Sequence, residues 1–99
     1  MERFELETPA YGFVDITARV RQIVRESGIE EGLCVVYCPH TTAAITINEN
    51  ADPDVQTDME AIFNRLVRER EPYYEHTCEG DDDMPAHAKS TIVGAELTI

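Results

Sequence analysis

Residues 36–58, VYCPHTTAAITINENADPDVQTD, constrain the fold of this chain more than any other stretch. Residues 33–38 are a continuous apolar run of strand length, introduced by Gly32 and stopped by Pro39. Such a run suits a strand buried on both faces. Residues 42–48 are β-branched and mostly apolar, and read as the next strand. The link Pro39-His40-Thr41 is short, so antiparallel pairing of the two is the economical arrangement. Asp52-Pro53 then opens a helix, with Asp at the N-cap and Pro at the first helical position. Val55, Met59, Ile62, Phe63 and Leu66 make its inward stripe. Arg65, Arg68 and Arg70 fall toward its C-terminal end, where positive charge suits the helix dipole.

The flanking segments complete an α+β pattern. Residues 2–7, ERFELE, alternate at period two and read as a half-buried strand with Phe4 and Leu6 inward. Asp15 is a good N-cap for a helix with Ile16, Val20, Ile23 and Val24 on one face. Ser27-Gly28 ends it. Pro72 closes the second helix, and residues 73–78 form a short strand. An acidic loop, 79–85, leads to a short helix at 86–93, ended by Gly94, and to a strand at 95–99. The expected fold is a single domain over residues 1–99, a mixed or antiparallel sheet packed with two main helices.

Composition bounds the function. The apolar fraction of 42% suffices for a core. A domain of this size buries only about 60–68% of its unfolded surface, so association with further copies is expected. Eight basic residues stand against twenty acidic ones, a net charge of −12. That balance disfavours a nucleic-acid backbone, which needs clustered Lys and Arg. No run approaches the roughly 18 apolar residues of a membrane span, and MERFELETPA has no apolar signal core. A cytoplasmic protein without membrane contact is the default expectation. Cys34 and Cys38 share a strand face about 13 Å apart, too far for a disulfide or one metal ion. Cys78, in a polar loop, has no clear partner.

The candidate chemistry rests on three histidines, His40, His76 and His87, each beside hydroxyls or carboxylates. If they converge, three neutral imidazoles and an open position suit a catalytic divalent metal. Spacing along the chain does not by itself show convergence. Glu49 and Asn50 follow a strand, where side chains project toward a pocket. Asp83 lies four residues before His87 and is the best placed of the Asp81–Asp83 run to join a site. Lys89, the only lysine, is a candidate contact for an anionic substrate group. The phosphate-binding glycine motifs and the G-x-S-x-G motif are absent.

His40-Thr41-Thr42, Asn48-Glu49-Asn50, Asp52-Pro53 and Asp58 resemble the YjbQ family, also called UPF0047. The likeness continues through Tyr74 to His76, Asp83-Met84-Pro85-Ala86-His87-Ala88-Lys89 and Gly94, and covers nearly the whole chain from Asp15 onward. The resemblance implies an α+β homotrimer with a polar pocket built from these histidines and acids. It also implies a weak thiamine-phosphate synthase activity, joining a pyrimidine pyrophosphate to a thiazole phosphate. A metal ion, zinc or magnesium, at His40, His76 and His87 is implied in the same way. Family members carry further strands with a Gly-Thr-Trp-Gln-like stretch, whereas this chain stops at Ile99 and has no Trp, so a C-terminally shortened domain is expected. Asn is usual in the family near Asp83.

Two functions follow as expectations. The first is an enzyme acting on phosphorylated small molecules. In it His40, Glu49, Asp83 and His87 take catalytic roles, and Thr41, Thr42, Asn50 and Lys89 bind substrate or cofactor. The alternative is a non-catalytic trimeric module that binds a ligand or metal.

Overall fold

The computed structural model describes all 99 residues. Its elements are α1 (Thr17–Ser27), β1 (Val35–Tyr37), α2 (Pro53–Leu66), α3 (Asp83–Val93) and β2 (Glu96–Thr98). The fold is α+β, with three helices and one two-stranded antiparallel sheet.

Local signals place the helices. Asp15 Oδ1 accepts the Thr17 backbone N–H at 2.9 Å, which starts α1 one residue later than an N-cap at Asp15 would. These Thr17 bonds favour the charged carboxylate and hold the Asp15 pKa below its usual value. Gly28, at φ 73°, ends α1 in the left-handed region that a side chain disfavours. At α2, Asp52 Oδ1 accepts the Asp54 N–H at 2.9 Å, and Pro53 occupies the first turn.

Helix α3 begins at Asp83, three residues before the sequence-based start at 86. Pro85 explains the difference. Proline breaks a helix interior, but the first turn has no intrahelical use for the missing N–H. Pro85 therefore sits inside the first turn and is the one fully buried side chain.

Strand pairing departs most from expectation. β1 pairs with β2, in the register Val35↔Thr98, Val36↔Leu97 and Tyr37↔Glu96. Flanking bonds carry the ladder outward: Cys34 N–H to the Ile99 carbonyl at 3.0 Å, and Cys38 N–H to the Ala95 carbonyl at 2.8 Å. Residues 42–48 form no strand. The Ile45 N–H donates to the Gly94 carbonyl at 3.0 Å, and the Ala43 carbonyl accepts the Ser90 hydroxyl at 2.6 Å. These groups serve the C-terminal half of α3 instead of a hairpin. Residues 2–7 and 73–78 also lack strand pairing. Phe4 lies under the Arg19 guanidinium at 5.3 Å, while Leu6 is exposed.

The expected core does not close within one chain. Only Pro85 and Ser90 are buried, and no hydrophobic side chain is. The apolar run at β1 is open, with Val35 59% and Tyr37 65% exposed. On α2, Val55, Met59 and Phe63 are half-buried, whereas Ile62 and Leu66 are exposed. The accessible surface is 8181 Å² for an 11.2 kDa chain. A compact monomer of that mass would expose about 5,700 Å². The radius of gyration is 15.5 Å, against about 12.6 Å for a compact 99-residue domain. Apolar area sufficient for a core is present, but it faces outward.

Two contacts test this account. Asp52→Ala is expected to lower unfolding free energy by about 1 kcal/mol through loss of the cap. Ser90→Ala, which leaves the Ala43 carbonyl without its donor, is expected to cost about 1–2 kcal/mol. Urea midpoints report both; an unmoved midpoint for Ser90→Ala would show that α3 is not fastened to residues 43–45.

Candidate functional site

The first two turns of α3 and the segment before it create the one cluster of potential metal ligands: His76, Asp83 and His87. Asp83 and His87 are four residues apart on a helix, so both side chains leave the same face. His76 arrives from the irregular segment between Pro72 and Gly80. Its Nε2 is 2.7 Å from Asp83 Oδ2, and His87 Nε2 is 3.1 Å from the same oxygen. The rings meet edge to face, with centroids 5.4 Å apart. One carboxylate oxygen thus accepts from both imidazoles, which requires each ring to carry its proton on Nε2.

The donor set can be tested for fit to a cation. The ligand atoms all lie within 4.8 Å of one another. For bonds of 2.0–2.1 Å, two ligands of one ion stand about 2.9 Å apart at a right angle and about 3.3 Å apart at the tetrahedral angle. The observed 2.7 and 3.1 Å separations are close to the right-angle value. Loss of the two Nε2 protons would leave lone pairs on both rings facing Asp83 Oδ2, available to a cation that settled among the three atoms. The donor types suit a divalent transition ion, but two ligands of one ion at such bond lengths stand at most about 4.2 Å apart, so side chains spread over up to 4.8 Å must draw in slightly to share one. The net charge of −12 attracts a cation, while Asp83 in the first turn of α3 gains from the helix dipole.

The other sequence candidates lie elsewhere. His40 is exposed just beyond β1 and is not in the cluster; Asp83 stands in the ligand set where a third imidazole was expected. The reason is geometric: a helix places residues four apart on one face, whereas nothing pairs residues 39–42 with α3's first turn. Thr41 and Thr42 are exposed. The Glu49 N–H is held by Asn48 Oδ1 at 2.8 Å, and the Glu49 side chain is exposed. Asn50 has a structural role: its amide donates to Asp15 Oδ2 at 2.8 Å, and its carbonyl oxygen accepts from Gln56. Asn50 thus ties the start of α1 to α2. Lys89, two residues after His87, points off another face of α3 and donates to Asn64 Oδ1 on α2 at 2.7 Å. Arg70, in the segment after α2, pairs with the acidic loop, 3.5 Å from Asp81.

Sequence reasoning missed a second polar feature. A cleft of about 390 Å³ is lined by Tyr11, Glu60, Asn64, Val67 and Glu69. The Tyr11 hydroxyl donates to Glu69 Oε1 across it. Nothing in the spacing of residues 11 and 69 signals that contact.

An α+β chain with a His–Asp–His cluster at a helix start defines a class, a small domain with a candidate metal site. The UPF0047 protein YjbQ-like family model matches residues 2–99, and the chain belongs to that family. It is 45% identical over 78 residues to the UPF0047 protein sll1880 of Synechocystis, covering 79% of this chain and 53% of that protein. It is also 45% identical over 84 residues to YugU of Bacillus subtilis, covering 83% of this chain and 60% of that protein. The chain therefore spans between half and two thirds of the length of these curated relatives. Among solved structures, the conserved hypothetical protein TT1486 from Thermus thermophilus superposes with TM-score 0.89 at 36% identity, over all of this chain and 74% of that one. A YjbQ/UPF0047 protein from Clostridium acetobutylicum gives TM-score 0.84 at 40% identity, over 94% of this chain and 69% of that one. No helix is long and apolar enough to cross a membrane.

The Tyr11–Glu69 contact yields a pH prediction. Hydrogen bonding to Glu69, aided by desolvation and the Glu69 charge, pushes the Tyr11 phenol up to about 12 from 10.0. A raised folded-state value contributes stability that is present below pH 10 and lost as pH rises toward 12. In Glu69→Gln, Tyr11 ring resonances followed by NMR should titrate closer to the ordinary phenol value. An unchanged titration would rule out Glu69 as the cause.

Proposed function

We propose that this chain is a metal-dependent small-molecule domain whose working centre is His76, Asp83 and His87. Its reading as an enzyme on phosphorylated substrates, with the thiamine-phosphate synthase-like transfer that the YjbQ resemblance implies, belongs to the same proposal. One observation carries it: two imidazole nitrogens on one carboxylate oxygen, at 2.7 and 3.1 Å.

Two nitrogens and one oxygen favour zinc or a similar transition ion over magnesium, which prefers an all-oxygen shell. Bound there, a divalent ion supplies a Lewis acid for a phosphoryl oxygen or a pyrophosphate leaving group. The chain's own residues do the rest. Asp83 fixes the facing direction of both rings, and the half-buried faces of His87 and Asp83 limit water on the α3 side. A phosphorylated substrate meets general repulsion from a −12 chain, so local positive charge is needed. Arg70 already pairs with Asp81 of the acidic loop at 3.5 Å, whereas Lys89 is held by Asn64 on α2.

The homotrimer is part of this proposal. The outward-facing apolar side chains of β1, α1 and α2 support it, because they gain burial only against further polypeptide. The same feature favours a second reading, a non-catalytic module whose polar cluster serves binding alone.

Metal analysis after dialysis against Zn²⁺ separates the possibilities. Wild type and His40→Ala are expected to retain about one ion per chain, with affinity lowered 10-fold or more in His76→Ala, Asp83→Asn and His87→Ala. Equal metal content in all five would sink the metal role. Retained metal without turnover of any phosphorylated pyrimidine or thiazole would favour the binding module.

A further inference from the structure

Within the reading of His76, Asp83 and His87 as a metal centre, one ligand lacks an evident support. Asp83 and His87 are fixed by the backbone of α3. His76 lies in a segment with no strand ladder and no helical bonds, and its own side chain is exposed. Something must hold the chain at His76 if the 2.7 Å contact to Asp83 is to persist.

Tyr74 is two residues before His76, and it is half-buried in an otherwise exposed segment. Its hydroxyl donates to the Arg68 carbonyl at 2.5 Å. Its backbone N–H donates to the Glu71 carbonyl at 3.0 Å. Together the two bonds close residues 68–74 into a tight loop just after α2. Arg70, inside that loop, has φ 55°, the only non-glycine residue in the left-handed region. Such a conformation is unfavourable for a residue with a Cβ and persists where surrounding contacts impose it. The Tyr73 ring packs edge-on against Tyr74 with centroids 5.0 Å apart, which further limits the Tyr74 rotamer.

We infer that Tyr74 is a positioning residue for this site: its hydroxyl on the Arg68 carbonyl closes the loop after α2 and presents His76 to Asp83 and His87. Tyr74 touches no candidate ligand atom and acts only through the chain that carries His76. Tyr74 pre-orders one donor of three, so the consequence falls on ligand affinity.

Tyr74→Phe keeps the ring and deletes the hydroxyl, and it is compared with Tyr73→Phe, whose hydroxyl spans no such loop. Zn²⁺ titrated by calorimetry into the full chain should bind Tyr74→Phe several-fold to 10-fold more weakly than wild type, with Tyr73→Phe unchanged. In the His76→Ala background, Tyr74→Phe should have no further effect, because the ligand it serves is gone. Equal affinity for wild type and Tyr74→Phe would overturn the proposal. So would an equal loss with and without His76, which would mark a general structural role. A metal-free readout keeps the outcome independent of the functional reading: the ring-to-ring NOE between His76 and His87 should weaken in Tyr74→Phe. If wild type binds no Zn²⁺, the metal reading fails, and that NOE alone decides the role of Tyr74. An undiminished NOE would end it.

Discussion

Helix α3 is what the rest of this structure depends on. It contains both buried residues, Pro85 at its start and Ser90 in its second half. Ser90 holds the Ala43 carbonyl, Gly94 at its end holds Ile45, Lys89 reaches α2, and Asp83 holds His76. These are single hydrogen bonds, each worth only about 0.5–1.5 kcal/mol net in general, and more where the donor is charged. They can orient the surrounding segments. They cannot replace a hydrophobic core, which supplies the dominant favourable term in folding. The chain thus has a well-specified polar hub and an unclosed apolar exterior.

The division shows which parts of the fold were legible in the sequence. Asp52-Pro53 announced α2 because capping is local chemistry, read from adjacent residues. Gly28 announced the end of α1 for the same reason. The two strands of the sheet were also legible as segments, since residues 33–38 and 95–99 contain them. Their pairing was not. The apolar, β-branched stretch at 42–48 looked the natural neighbour, and its backbone groups were instead taken by α3 and Gly94. β-propensity describes how a residue suits a pleated surface, not which partner will supply the ladder.

The site repeats the lesson at the scale of side chains. Asp83 and His87 share a face by helix periodicity, and that relation was visible in their spacing. Grouping the three histidines by residue type placed His40 with them, whereas the arrangement selects by geometry and admits a carboxylate. Lys89 follows the same rule in reverse. Two residues along a helix from His87 is nearly the opposite side, and Lys89 faces α2. The support for His76 was invisible, because a hydroxyl-to-carbonyl bond across a loop leaves no periodic trace.

The register Val35↔Thr98 has a consequence for the order of folding. The helices need only neighbours a few residues away, so they can form early. Strand β1 has no partner until a strand about 60 residues later has been brought alongside it. Closing a flexible loop of that length costs roughly 3–4 kcal/mol of chain entropy beyond the smallest closures. Three residue pairs of ladder recover little of that on their own, so β1–β2 pairing is a late event that follows placement of α3. In the interval Leu33, Val35 and Tyr37 stand as an unpaired apolar strand, the kind of edge that joins other chains. Pairing with β2 then covers only one edge of β1, so its other edge and the apolar side chains beside it stay open to a further chain even in the finished fold.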